Sequence, residues 1–149
     1  MTHPLQLRSL QQADVSALLV LYRELHPNDE PLPEARAAEL WQAIASDANQ
    51  IYLGGFLGGE LVAACNAAIT PNLTRGGRPF AVIENVVVAS AQRRRGFGTL
   101  LLRELVEQCW QRDCYKIMLQ SAQNRAGAHD FYEAIGFDRA AKQAFVMKR

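Results

Sequence analysis

Three consecutive arginines followed by Gly-Phe-Gly form the stretch of this chain whose residue types best suit anion binding. Arg93–Arg95 supply positive charge, and Gly96 and Gly98 let the backbone approach a ligand without obstruction by a Cβ atom. An apolar helical pattern starts directly afterwards, so the unpaired N–H groups and positive dipole end of a helix would face the same place. The stretch predicts either a phosphate-binding turn or a solvated turn that merely opens the helix.

Two common phosphate-binding loops do not fit this turn. The dinucleotide pattern G-x-G-x-x-G requires a glycine where Leu101 stands, and the P-loop requires a lysine where Thr99 follows Gly98. What remains is R-x-x-G-x-G, from Arg93 to Gly98, placed between a strand pattern and a helix pattern.

Composition limits the class of protein. The chain has 149 residues, of which 49% are hydrophobic, and this predicts one compact domain over residues 1–149. A net charge of +1 argues against a general attraction to nucleic acid or membrane. Cys65, Cys109 and Cys114 are odd in number and lack CxxC spacing, which predicts buried reduced thiols and no metal site. No signal-peptide or membrane-length apolar run is present, so we expect a cytoplasmic location.

Changes in hydrophobic period along the chain predict the elements that must position these residues. Helices are expected at 14–25, 33–46, 98–112 and 126–137, with Trp41 and Trp110 in the core. Strands are expected at 5–10, 51–57, 60–70, 80–90, 114–120 and 141–148, with Gly58-Gly59 turning a hairpin. The alternation of strands and helices indicates a mixed α/β sheet.

The order of these elements and three of their motifs resemble the GCN5-related N-acetyltransferase (GNAT) superfamily. The motifs are R-x-x-G-x-G, "IENVVV" and "NRAGAHDFYEAIGF". The resemblance implies a mixed central sheet of about six to seven strands, flanked by about four helices. It also implies a V-shaped splay between the two central parallel strands.

The resemblance further implies that acetyl-CoA is the cosubstrate and lies in this splay. Pantetheine amides would pair with the backbone of Val86 and Val88, and N–H groups from Arg94 to Thr99 would hold the pyrophosphate. Asn124 lies eight residues before Tyr132, one residue farther than in many members. The expected cofactor-binding residues are Val86, Val87, Val88, Arg93, Arg94, Arg95, Gly96, Phe97, Gly98, Thr99 and Asn124.

Glu84 is the candidate general base, acting directly or through water. It shares the two-residue period of Val86 and Val88, so we expect it to face the cleft. Apolar neighbours in "AVIENVVV" would raise the pKa of its carboxyl group towards a useful value. The alternative is a surface glutamate on a half-exposed strand.

Tyr132 is the candidate general acid, because a phenol with a reference pKa of about 10 is protonated at neutral pH and can donate to a departing thiolate. The alternative is an aromatic plug beside Phe131 and Phe137. The N–H of Val86 could stabilise an oxyanion. No serine, cysteine or histidine constellation suggests a covalent enzyme intermediate, so we expect direct transfer.

The expected function is therefore acetyl transfer from acetyl-CoA to a primary amine, with a small molecule as the preferred acceptor. A protein or peptide acceptor is the enzymatic alternative, and a non-catalytic acyl-CoA-binding regulatory module is the alternative from another class. The alternating apolar "FVMK" near the C-terminus predicts a homodimer paired along an exposed sheet edge.

Overall fold

One five-stranded sheet organises the protein in a computed structural model that describes residues 4–149. The first three residues of the expected 1–149 domain lie outside the described residues. The strands follow one another in chain order across the sheet, and only the last two are parallel. They are β1 (Gln6–Ser9), β2 (Gln50–Leu57), β3 (Glu60–Thr70), β4 (Phe80–Val88) and β5 (Ile117–Leu119).

Four α-helices cover the two faces of this sheet: α1 (Val15–Leu25), α2 (Glu34–Ser46), α3 (Phe97–Gln111) and α4 (Ala126–Ile135). Leu18 and Leu21 of α1 pack with Trp41 of α2 on one face, which we call the α1 face. Leu105 of α3 and Phe131 of α4 lie in the cluster on the other face, which we call the α3 face. The helical periodicity therefore predicted all four helices, because each has one apolar stripe to bury.

The predicted fold class is confirmed, but the number of strands is smaller than expected. The described residues contain five strands instead of six to seven. The predicted strand at 141–148 is wrong, since this segment has no ladder partner among residues 4–149 and leaves Phe145 and Met147 about 90% and 99% exposed. An alternating pattern becomes a strand only when a neighbouring edge supplies hydrogen-bond partners.

The two tryptophans differ in burial. Trp41 is buried as expected, whereas Trp110 is 47% exposed, so its predicted core position is wrong. Trp110 directly follows Cys109, which is fully buried on α3. Consecutive helical residues point about 100° apart, so the residue after a central core position lies off the buried stripe.

The thiols are located as the sequence predicted. Cys65, Cys109 and Cys114 are all buried and free. Burial raises the pKa of each thiol, to about 11 for Cys109. No helix within residues 4–149 has the length and apolar character needed to cross a membrane.

Candidate active site

The two parallel strands separate at the centre of the sheet and open a cleft. β5 pairs with β4 only from Ala81 to Ile83, whereas β4 continues to Val88. The N–H of Ala89 donates to the carbonyl of Val62 on β3 at 2.8 Å. Backbone N–H and carbonyl groups alternate in direction along a strand, so the N–H and carbonyl of Val88 point away from β3, towards the open edge of β4. The open β4 edge that the V-shaped splay requires is therefore present.

A β-bulge in β4 changes which side chains face which side of the sheet. Glu84 pairs with Asn66 and Val87 pairs with Ala64, so Asn85 and Val86 together oppose the single residue between those partners on β3. One extra residue reverses the two-residue alternation beyond it.

The consequence is that Glu84 does not share a face with Val86 and Val88. Both valines pack with the α3-face cluster, whereas Glu84 lies opposite Asn66 and hence on the α1 face. The expectation based on alternation is therefore wrong. The Glu84 side chain is also exposed, so the expected apolar enclosure of its carboxylate is not observed.

The glycine turn has the geometry of an anion-binding concavity. Arg94 and Gly96 have φ angles of 63° and 78°, and Gly96 is the left-handed residue immediately before α3. No side chain in the described part of the chain caps α3. Within residues 4–149, none of the six backbone N–H groups from Arg94 to Thr99 donates a hydrogen bond to a protein acceptor. Such a row of free donors at a helix N-terminus fits a pyrophosphate.

The three arginines next to this turn are not equivalent. Arg93 Nε donates to the Val88 carbonyl at 3.2 Å, and its guanidinium lies 4.0 Å from the carboxylate of Glu24. Arg95 donates to Gln92 and lies 4.7 Å from the centre of the Phe97 ring. Arg94 forms no hydrogen bond or ion pair through its side chain within residues 4–149. Arg94 is thus the member with a guanidinium free for an incoming anion.

Tyr132 approaches the splayed strands from the opposite face to Glu84. It is half-buried on α4, with ring centroids 5.2 Å from Phe131 and 6.2 Å from Phe137. Burial raises the pKa of its phenol, the positive charge of Arg125 lowers it, and the negative charge of Glu84 raises it again. The phenol therefore stays protonated at neutral pH, and Glu84 is near enough to influence it.

Asn124, the remaining expected cofactor contact, lies in a loop. It is exposed in the connection between β5 and α4 and is not part of either element. The neighbouring His129 ring makes a 2.9 Å hydrogen bond with the carbonyl of Ala122 and so braces this connection.

Three polar side chains near the cleft have no prediction from the sequence. The Ser121 hydroxyl, two residues beyond β5, is buried without a hydrogen-bond partner in the described part of the chain. Asn66 is buried in β3 and accepts a hydrogen bond from Asn85 at 3.1 Å. A usable signal for Asn66 was its position as the only polar residue inside the apolar run "LVAACNAAI".

Comparison with known proteins relates this geometry to an enzyme family. A family model described as acetyltransferase (GNAT) family matches residues 15–137, which include the glycine turn, Glu84 and Tyr132. The chain belongs to the GNAT acetyltransferase family. It is an acetyl-transferring enzyme, and membership of the GNAT family implies the use of acetyl-CoA.

Individual GNAT relatives cover nearly the whole chain. A glucosamine 6-phosphate N-acetyltransferase from Trypanosoma brucei brucei is 31% identical, with 93% of this chain and 92% of the relative aligned. An aminoglycoside N(6')-acetyltransferase from Serratia marcescens is 24% identical over 91% of this chain and 92% of its own length. The solved structure of a candidate acetyltransferase from Agrobacterium tumefaciens strain C58 is 35% identical. It has a TM-score of 0.93 over 97% of this chain and 99% of that one.

Proposed function

We propose that this GNAT protein transfers the acetyl group of acetyl-CoA to a primary amine of a small molecule. The observation that carries the proposal is the row of free N–H groups from Arg94 to Thr99 beside the open edge of β4. Glu84 and Tyr132 lie on opposite faces of that edge, which suits proton removal and proton donation on two sides of one reacting centre. The relatives named for an amino sugar phosphate and an aminoglycoside support a small acceptor.

The proposed roles follow from the protonation states of the groups. A primary amine is largely protonated at neutral pH and must lose a proton before it attacks a carbonyl carbon. Glu84, open to the α1 face, would accept that proton directly or through water. Acetyl-CoA, when bound, supplies a thioester that is attacked at its carbonyl carbon. The phenol of Tyr132 would donate to the departing sulfur, and the N–H of Val86 could donate to the carbonyl oxygen as it gains charge.

Direct transfer is favoured over a covalent enzyme intermediate. The three cysteines are buried, and burial raises the pKa of each thiol, so none of them is a ready thiolate nucleophile. The alternatives are a protein or peptide acceptor and a regulatory module that binds acyl-CoA without catalysis. A regulatory module would need the glycine turn but neither Glu84 nor Tyr132.

Release of free thiol from acetyl-CoA in the presence of an amine panel tests the proposed function. The panel should include amino sugars, their phosphates, aminoglycosides, polyamines and a lysine-containing peptide. We expect thiol release with at least one small amine. Release with the peptide alone would favour the protein acceptor, and no release with any amine despite acetyl-CoA binding would favour the regulatory module.

Glu84→Gln should lower turnover at neutral pH by about fivefold to tenfold, with partial recovery at alkaline pH, where the amine loses its proton without a base. Initial rates across a pH series measure this effect. Glu60→Gln removes an equally exposed carboxylate at the far hairpin and should leave the profile unchanged. An identical pH profile for Glu84→Gln and wild type would remove Glu84 as the base.

A homodimer is proposed as the state of assembly, in the cytoplasmic setting expected from the sequence. The segment that carries Phe145 and Met147 exposes its apolar side chains. In the described residues β5 is an edge strand of the sheet and pairs only with β4. Light scattering should give about twice the chain mass of 16.6 kDa. The double variant Phe145→Lys, Met147→Lys should lower this to one chain mass, and a wild-type mass of 16.6 kDa would contradict the dimer.

A further inference from the structure

Asn66 is an unusual residue in its surroundings. It is 7% exposed, and no other polar or charged residue among residues 4–149 is as fully buried as a whole. Its neighbours in sequence, Cys65 and Ala67, are buried in the α3-face cluster, so the Asn66 side chain lies on the opposite, α1 face of β3. Burying an amide is unfavourable unless it forms hydrogen bonds, so a specific partner is expected. That partner is Asn85, whose Nδ2 donates to Asn66 Oδ1 at 3.1 Å.

Asn85 has a backbone conformation that few residues adopt. Its φ angle is 53°, in the left-handed region, where asparagine is tolerated far better than β-branched residues. Asn85 is also the first of the two β4 residues that oppose the single residue between Ala64 and Asn66. The hydrogen bond therefore joins the strained residue of the bulge to a buried amide on the neighbouring strand.

The bulge decides the orientation of the proposed chemical groups. Without the extra residue, regular alternation would place the side chains of Glu84 and Val86 on the same face. With it, Glu84 lies on the α1 face while Val86 packs on the α3 face. The bulge also leaves Asn85 and Val86 out of the ladder with β3, so the Val86 backbone is available at the open edge.

We propose that the Asn66–Asn85 amide pair is a positioning device that holds this bulge and so presents Glu84 and the Val86 N–H to the two sides of the acetyl-transfer site. Neither asparagine needs to touch the reacting atoms. The roles of Glu84 and Val86 in this inference rest on the proposed function. The positioning device itself rests on the register between β3 and β4 and on the hydrogen bond between Asn85 and Asn66.

Three substitutions at position 85 separate backbone conformation from hydrogen bonding. Asn85→Val introduces a β-branched residue that resists a positive φ and cannot form the bond. Asn85→Gly permits the φ angle but also loses the bond. Asn85→Asp tolerates the left-handed region, and its carboxylate can accept from the Asn66 amide after that amide flips.

We expect Asn85→Val to lower kcat by at least about fivefold, because it misplaces a proton-transfer group. The Kd for CoA measured by calorimetry should rise by a smaller factor, because the glycine turn from Arg94 to Thr99 is unchanged. Asn85→Gly should fall between Asn85→Val and wild type, and Asn85→Asp should restore kcat. If the amide pair only stabilised the fold, the substitutions would lower thermal stability without lowering kcat more than CoA affinity. Unchanged kcat in folded Asn85→Val, equal losses of kcat and CoA affinity, or failure of Asn85→Asp to restore kcat would each overturn the proposal.

A magnetic resonance measurement distinguishes failure of the device from failure of the proposed function. Amide-proton contacts between Val87 and Ala64 report the bulged register, and the Val86 amide shift on addition of CoA reports its presentation at the open edge. Both signals should be present in wild type and Asn85→Asp and lost in Asn85→Val, even if no amine is acetylated. Retention of both signals in Asn85→Val would contradict the positioning role of the amide pair.

Discussion

Replacing Tyr132 by phenylalanine should lower turnover by about a hundredfold or more, within the range of general acid catalysis. The change removes one oxygen and keeps the ring, so the packing against Phe131 and Phe137 is retained. Fold and acetyl-CoA affinity should therefore change little. Thiol-release rates at saturating substrates measure turnover, and calorimetry measures affinity.

The pH dependence of this loss identifies its cause. Burial raises the pKa of the Tyr132 phenol, so the donor remains protonated above neutral pH. A thiol of reference pKa about 8.5 becomes a stable leaving thiolate in alkaline solution, where a proton donor matters less. The deficit of Tyr132→Phe should therefore shrink as the pH rises, if chemistry limits turnover.

A matched control is available outside the cleft. Tyr115→Phe makes the same chemical change beside Lys116, two residues before β5 and away from the splay, and should leave turnover unchanged. Near-normal turnover in Tyr132→Phe would show that Tyr132 only fills space. Full activity in both Tyr132→Phe and Glu84→Gln would remove the proposed mechanism while leaving acetyl-CoA binding intact.

Gly98→Glu should weaken acetyl-CoA binding by at least about tenfold, or about 1.4 kcal/mol. Gly98 lies within the row of free N–H groups, so the new carboxylate would stand where a pyrophosphate is proposed to bind. A Cβ atom at this position would also lie 3.2 Å from Phe131 Cζ and 3.5 Å from Val88 Cγ2. Steric crowding therefore adds to the charge effect and needs a separate control.

Gly98→Ala carries the same Cβ atom without the charge. Calorimetry should show a smaller loss of affinity for Gly98→Ala than for Gly98→Glu, and the difference should decrease at high salt because ions screen exposed charges. Circular dichroism confirms that both variants fold. Unchanged affinity in folded Gly98→Glu, or equal losses in both variants, would argue against the anion-binding turn.

Features encoded by neighbouring residues were predictable from the sequence. The helix of Leu101, Leu105 and Cys109 follows from apolar residues at helical spacing, and these residues are fully buried. The turn with free N–H groups before α3 follows from Gly96 and Gly98 at a junction between strand and helix. Both depend on interactions within a few residues, for which local residue types carry enough information.

Features that depend on distant strands were not predictable in the same way. The pattern at 141–148 suits a strand, but no neighbouring edge pairs with it in the described residues. The face occupied by Glu84 was predicted wrongly because alternation along one strand says nothing about an extra residue relative to its partner. That extra residue exists only where β3 pairs with β4 and Asn85 contacts Asn66, 19 positions away. The sequence by itself therefore determined which residues are candidates for binding and reaction, whereas the tertiary pairing of the two strands decided the side of the sheet on which Glu84 lies.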